Sequence, residues 1–332
     1  MFCSCDEVVN VVEASTGKLL RTLEADTEPI MSLAVSPDDS MLVASSRSRM
    51  TYVYDWKTGE CVRSFKAHVG PVLTMDFDTT STLLATGSAD STVKVWDIRK
   101  GYCTHNFKGS AGIVSTVLFH PKRLELFSCA ADGHVRWWDL KTSASLGVLQ
   151  GHNSAVRGLA FVGKNSLITG GRDQVVLFWD LAKQKVKDTS VVMEAVEALV
   201  LLPPGTDFPG KPDDDDDADD AYYVTAGDKN VLRVWGFPSK TCYHTEKAPG
   251  KLTALFEDAV THQLVATTVD QTILFYDPST FKRSRQIIGS YDEVLDLKYI
   301  GATQSHVAVA TNTDNIQLLN PNTLDSAILE GR

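Results

Sequence analysis

Two sets of residues in this 332-residue chain have the makings of a nucleophile, a base and an orienting acid. One is Thr86, His68 and Asp90; the other is Thr169, His152 and Asp173. A hydroxyl, an imidazole and a carboxylate can perform acyl transfer when the base touches the nucleophile. The two sets are spaced alike. In each, the hydroxyl stands ten residues and the carboxylate six residues before a tryptophan, Trp96 or Trp179. A partial third set has Ser128 and Asp132 before Trp138, with Ser110 where the histidine would fall. A single active site does not recur in register along a chain, whereas a hydrogen-bonded structural set does. There is no Gly-x-Ser-x-Gly elbow, and no oxyanion donor presents itself. The sets are therefore assigned to support of the fold, and no enzyme is expected.

The elements that would position them follow from an internal repeat. Trp96-Asp97, Trp138-Asp139 and Trp179-Asp180 stand 42 and 41 residues apart. Tyr54-Asp55 and Val12-Glu13 continue the series backwards at 42-residue steps. Trp235-Gly236, Tyr276-Asp277 and Leu319-Asn320 continue it forwards at steps of 56, 41 and 43. Within residues 67–108 the runs VLTMDF, LLATGS, VKVWDI and YCTHNF are apolar and β-branched, and turn-type clusters separate them. Residues 109–150 repeat the plan. No segment holds a 3.6-residue apolar period over a helix length, which removes stacked helix pairs of similar period.

A period near 42 with four strands and a terminal aromatic-Asp pair resembles the WD-repeat β-propeller family. The resemblance implies an all-β propeller of seven or eight four-stranded blades, expected as a single domain over residues 1–332. The first unit begins at its second strand, FCSC, so its blade is expected to lack an inner strand and to leave an open edge. Both ends look cut from a longer tandem-propeller protein. The long step of 56 holds an insert at about 203–221, PPGTDFPGKPDDDDDADDA, between the first and second strands of its unit. Its composition predicts a disordered acidic loop carrying Asp213, Asp214, Asp215, Asp216, Asp217, Asp219 and Asp220.

Charge and cysteine usage bound the function. Removing the seven carboxylates of 213–220 from the formal charge of −10 leaves −3, so the remainder is close to neutral. That argues weakly against a dominant phosphate-binding role. Cys61, Cys103 and Cys242 each stand seven residues after an aromatic slot, which puts them on outer strands of different blades and out of disulfide reach. Cys3 and Cys5 lack a second ligand pair at zinc spacing, and Cys129 is expected in a core. All six are read as reduced thiols of an intracellular protein. No Walker, Rossmann or His-Glu-x-x-His motif occurs, so no cofactor, metal or small-molecule substrate is expected. No apolar run reaches membrane-spanning length, so no membrane is expected as a partner.

Four arginines are candidates for partner binding. Arg47 and Arg49 fall in a turn on the face that bears the histidine loops, with Arg172 on the same face. Arg99 closes Trp96-Asp97-Ile98-Arg99, which is similar to the Trp-Asp-x-Arg box of cullin-type ubiquitin ligase receptors. Lys282, Arg283 and Arg285 read as a solvated outer strand.

Beyond the generic repeat, several stretches are particular: GYCTHNFKGSAGIVSTVLFHP at 101–121, TAGDKNVLRVW at 225–235, EVLDLKYIG and SHVAVATN within 293–312, with SPDDSMLVAS and STLLATGSADSTVKVWD. They resemble the amino-terminal propeller of the transducin beta-like 3 family, whose yeast counterpart is a U-three-protein of the small-subunit processome. The resemblance implies a non-enzymatic scaffold acting in pre-rRNA processing and 18S rRNA maturation. Its implied partners are other tandem-propeller processome proteins and the small nucleolar RNP, with pre-rRNA contacted indirectly. It also implies placement in the nucleolus. The alternatives are a substrate receptor of a cullin-type ligase and a generic WD-repeat peptide-binding adaptor.

Overall fold

The computed structural model describes residues 4–5, 8–13, 19–25, 27–212, 221–257, 263–270, 272–289, 294–300, 306–311, 315–319 and 326–330. All of its regular elements are β-strands. Six blades, each of four consecutive antiparallel strands, cover residues 30–66, 72–107, 114–149, 156–191, 196–247 and 252–289, and are numbered 1 to 6 here. In blade 2 the strands are Val72–Phe77, Leu83–Ser88, Val93–Asp97 and Tyr102–Phe107.

Six such blades replace the seven or eight expected. An aromatic-Asp slot marks only the third strand of a unit, and the two end slots do not each own a full set of four. The outer strands of the first unit, Val8–Glu13 and Leu19–Glu24, share a sheet with Val294–Ile300 and His306–Thr311. Val12 pairs with Val307, and Glu13 with His306. The inner edge of the first unit is thus covered by later strands, which corrects the expectation of an open edge there.

The described residues fall into two compact units. One holds Met1–Gln150 with Ser290–Leu318 and Ala327–Arg332; the other holds Gly151–Gly289 with Leu319–Ser326. In the first unit, blades 1 and 2 enclose a core of Val43, Val53, Met75, Phe77 and Leu84 under Trp96. Blades 2 and 3 enclose Val95, Phe107, Val117 and Leu126 under Trp138. In the second unit, Ile168, Phe178, Leu199 and Tyr223 pack under Trp235, and Val224, Leu232, Leu264 and Leu274 under Tyr276. Each such apolar side chain, fully buried, contributes about 1.5–3 kcal/mol. The outer strands are mostly exposed, as in blade 2, where only Phe107 of Tyr102–Phe107 is buried.

Two irregularities recur in every blade. The ladder between third and fourth strands shifts just before the slot residue, at Val53/Tyr54, Val95/Trp96, Trp137/Trp138, Phe178/Trp179, Val234/Trp235 and Phe275/Tyr276. A second shift lies at the start of the first strand, for example Val72/Thr74 and Val156/Gly158. A bulge bends a strand and increases its twist, so the repeat carries its curvature in fixed places.

The insert of blade 5 is only partly as expected. The acidic run 213–220 lies outside the described residues. Residues 203–212, however, are folded rather than disordered. Phe208 is buried against Tyr222, ring centroids 4.7 Å apart, and near Tyr243 at 6.3 Å. Thr206 N–H donates to the Pro203 carbonyl, and Lys211 N–H to the Phe208 carbonyl. One aromatic in a Pro/Gly/Asp-rich stretch is enough to tie that half to the blade core.

Candidate functional site

The histidine sets close as chains of hydrogen bonds. In blade 2, Trp96 Nε1 donates to Thr86 Oγ1 at 3.0 Å, and Thr86 Oγ1 lies 2.7 Å from His68 Nε2. His68 Nδ1 reaches Asp90 Oδ2 at 3.0 Å. Asp90 also accepts the Val69 N–H at 3.0 Å and the Thr92 hydroxyl at 2.6 Å. In blade 4, Trp179 Nε1 donates to Thr169 at 2.8 Å, Thr169 lies 2.8 Å from His152 Nε2, and His152 Nδ1 is 3.0 Å from Asp173. Asp173 accepts the Asn153 N–H at 2.8 Å.

Burial lowers the His68 pKa, against the pull of Asp90, so the ring is neutral near pH 7. Against its own burial, the Thr92 hydroxyl, His68 and backbone N–H groups hold Asp90 down at about 2. An ionised carboxylate only accepts, so Nδ1 carries the proton and Nε2 accepts from the threonine. Thr86 and Thr169 are fully buried. Each hydroxyl oxygen already takes a tryptophan N–H, and a substrate carbonyl has no approach to it.

Blade 3 solves the same problem without histidine. Trp138 Nε1 donates to Ser128 Oγ at 3.2 Å. Asp132 accepts from Arg136 Nη2 at 2.7 Å, Arg136 Nη1 at 3.2 Å and the Ala111 N–H at 2.9 Å. Burial opposes ionisation of Asp132, yet the Arg136 hydrogen bonds hold its pKa well below the usual carboxylate range. Blade 5 carries a fourth set that the sequence reading missed. Trp235 Nε1 donates to Thr225 at 3.0 Å, and Arg233 pairs with the fully buried Glu194. The signal was present: Thr225 stands ten residues before Trp235, and Arg233, like Arg136, stands two before its tryptophan.

A second missed series lies nine residues after the first three slots. Arg21, on the outer strand Leu19–Glu24, donates to the Thr58 and Lys57 carbonyls in the outer turn of blade 1. Arg63 donates to the carbonyls of Lys100 at 3.2 Å and Arg99 at 3.4 Å in the corresponding turn of blade 2. His105 Nε2 meets the Leu140 carbonyl of blade 3 at 2.9 Å. These residues are 42 apart and latch one sheet to the next. Gly59 and Gly101 complete the two arginine latches: both have positive φ, 84° and 77°, and a Cβ on either would overlap the guanidinium. In the second unit the same position is Asp188, which pairs with Lys240 of the blade 5 turn.

The candidate partner-binding arginines differ in what holds them. Arg47 is exposed in the turn between the second and third strands of blade 1, with no side-chain partner among the described residues. Arg49 follows at φ 78° and donates to the Val69 carbonyl at 3.2 Å. Arg99 lies in the outer turn of blade 2, in a separate turn of that unit, 3.5 Å from Asp38. Arg172 is bound edge-on by Glu197, with Nε 2.7 Å and Nη2 3.0 Å from the two carboxylate oxygens. Cys61, Cys103, Cys129 and Cys242 are free thiols; the three on outer strands are exposed and pair with Tyr54, Trp96 and Trp235 across equivalent bulges.

Residues 17–55, 59–97, 101–139 and 143–180 match the WD domain, G-beta repeat family. The chain carries WD repeats in a β-propeller fold, and it resembles transducin beta-like protein 3. It is 40% identical to that protein of Mus musculus over 342 aligned residues, and 39% identical to that of Homo sapiens over 346. Both alignments cover all of this chain but 42% of the relative, so the chain spans about two fifths of the length of these curated relatives. A protein of Saccharomyces cerevisiae, U3 small nucleolar RNA-associated protein 13, is 29% identical over 191 residues, covering 52% of this chain and 22% of the relative.

Proposed function

We propose that this WD-repeat protein is a non-enzymatic scaffold of the nucleolar small-subunit processome. In this reading it acts in pre-rRNA processing and 18S rRNA maturation. The observation that carries the reading is the similarity along the whole chain to transducin beta-like protein 3, joined by the yeast U3 small nucleolar RNA-associated protein. The buried hydroxyls of the two His-Thr-Asp sets support a structural role for the residues that most suggest catalysis. The mechanism is positioning. Blades held by internal networks and sheet-to-sheet latches present turns whose geometry is set before a partner arrives, which lowers the ordering cost of assembly. Partners in this reading are other propeller proteins of the processome and the small nucleolar RNP, and the site of action is the nucleolus.

Depleting the protein from its host and following pre-rRNA by northern blotting tests the reading. The expected result is accumulation of unprocessed precursor with a selective loss of 18S rRNA. Normal 18S maturation after depletion would overturn it. Affinity purification before and after RNase treatment then tests whether the contacts with processome proteins are protein-borne.

A further inference from the structure

His105 lies on Tyr102–Phe107, the outer strand of blade 2, next to Thr104. Three contacts fix the protons of this pair. Thr104 Oγ1 is 3.0 Å from the Val95 carbonyl, and His105 Nδ1 is 2.9 Å from Thr104 Oγ1. His105 Nε2 is 2.9 Å from the Leu140 carbonyl of blade 3. A carbonyl only accepts, and a hydroxyl has one hydrogen to give. With that hydrogen on the Val95 carbonyl, Thr104 accepts from Nδ1, while Nε2 donates to Leu140. All three bonds are made at once only when both ring nitrogens carry a proton. The Thr104 assignment recurs in blade 6. There Ser284 stands at the same place in the bulge, and its hydroxyl donates to the Phe275 carbonyl at 3.1 Å.

The position nine residues past the slot is arginine in three other sheets, at Arg21, Arg63 and Arg285. Arg21 and Arg63 give their protons to carbonyls of the next turn, as His105 does. A doubly protonated imidazole is thus a cation in a cation's place, with the same kind of acceptor. We propose that His105 is a proton-operated latch between blades 2 and 3. With two protons the ring closes all three bonds. When one proton leaves to water, either Thr104 turns its hydrogen from the Val95 carbonyl to Nδ1, or the Leu140 carbonyl is released. A bond kept by the neutral ring also loses its charge assistance. The contribution is complete on the acid side of the range in which histidines titrate, about pH 5 to 8, and is lost as pH rises. The buried neutral ring of His68 runs the other way. Three elements pack against His105, and their titratable and charged groups are Tyr102 and Cys103, Lys94 and Asp97, and Asp139 and Lys141. The N–H groups of Lys100 and Lys141 hold Asp97 and Asp139 below the usual carboxylate range. Burial pushes the Cys103 thiol up. The inference is independent of the processome reading, since it concerns only the chemistry of this contact.

The test is long-range proton–nitrogen magnetic resonance of the histidine rings in the whole chain, joined to hydrogen exchange of the Tyr102–Phe107 amides. Both are read near the two ends of the histidine range. At the acid end both His105 nitrogens are expected to carry protons. Protection of the outer-strand amides, corrected for the intrinsic pH dependence of exchange, is expected to fall about two- to tenfold at the basic end. His105→Arg keeps the cation and should hold the acid-end protection at both pH values. Thr104→Val removes the acceptor of Nδ1 and should flatten the pH dependence. A His105 ring with a single proton at the acid end, or parent protection that does not change with pH, would overturn the proposal. So would a His105→Arg variant that loses protection at the basic end as the parent does. The ring measurement needs no variant, so the proposal stays open to refutation even where a substitution fails to fold.

Discussion

Blades 2 and 4 hold their buried tryptophan with histidine, whereas blades 3 and 5 hold it with arginine. All four keep a hydroxyl ten residues before the tryptophan and a hydrogen bond from its indole, 2.8–3.2 Å long. They differ in how the nearby acid is compensated. His68 and His152 bridge the acid to the hydroxyl and extend the chain of donors. Arg136 and Arg233 reach the acid from the third strand and leave the hydroxyl to the tryptophan alone. The requirement common to these four blades is therefore a satisfied indole and a compensated acid nearby, not a histidine. Satisfied polar groups are what a buried network must supply, and more than one side chain can do it.

The largest expected effect separates the two solutions. Glu194 is fully buried, and burial raises its pKa against the hydrogen bond and charge of Arg233. Arg233→Met strands that carboxyl and should cost about 3–5 kcal/mol in urea unfolding. The double change Arg233→Met with Glu194→Leu should recover most of the loss, because an apolar pair of similar volume avoids the desolvation penalty. A single variant costing under about 1 kcal/mol would mean that Glu194 is compensated by something other than Arg233.

Much of this is legible in the amino-acid sequence. The spacing of ten and six residues before the tryptophans located the blade 2 and blade 4 sets, because the hydroxyl and turn positions are fixed by the ladder. The arginine solution was not legible, because Arg136 and Arg233 lie within the third strand, whereas the histidines stand before the first. The latches at Arg21, Arg63 and His105 were hidden for another reason. Their acceptors are backbone carbonyls, which leave no trace in side-chain identity. The burial of Phe208 was not legible because the Pro-, Gly- and Asp-rich composition of 203–221 outweighs one aromatic. The blade count failed because pairing of strands from opposite ends of the chain, as at Val12 and Val307, has no local signature.

His68 supplies the next effect, smaller than that of Arg233. Replacing it with alanine removes the bridge between Thr86 and Asp90 and should cost about 2 kcal/mol. Asp90 retains the Val69 and Thr92 donors, which is why the loss is less than for Glu194. The pH dependence sharpens the contrast. Folding lowers the His68 pKa, so below about 6.5 the unfolded chain binds the proton first. Stability is then complete above that value and falls as pH drops toward the folded pKa. The groups facing the ring are Asp90, Thr86, Thr92 and Lys94. Asp90, held at about 2, adds a second loss between its ordinary value of 3.8 and 2. Unfolding midpoints measured from pH 8 to 5 should fall in the parent, and fall less in His68→Gln. Arg136→Gln should lower the whole curve without changing its slope near 6.5, since arginine does not titrate there.

The latches should give the smallest effects, and salt can tell their two chemistries apart. Arg63 in the first unit donates to backbone carbonyls, whereas Asp188 in the second pairs with the Lys240 side chain. Arg63→Ala and Asp188→Ala should each cost about 0.5–1 kcal/mol, because all of these side chains reach solvent. An ion pair between partly exposed groups weakens as the Debye length shrinks to about 3 Å near 1 M salt. The cost of Asp188→Ala should therefore fade at high salt. The cost of Arg63→Ala should persist, because a carbonyl presents a dipole rather than a full charge and much of its hold is the hydrogen bond itself. Gly101→Ala gives a check on the first unit without removing any charge. Its positive φ and the crowding of the guanidinium should cost about 1 kcal/mol. In an Arg63→Ala background the crowding disappears and only the backbone strain should remain. If the two losses simply add, Arg63 does not rest against Gly101 in solution, and the 42-residue series from Arg21 to His105 is coincidence rather than a latch.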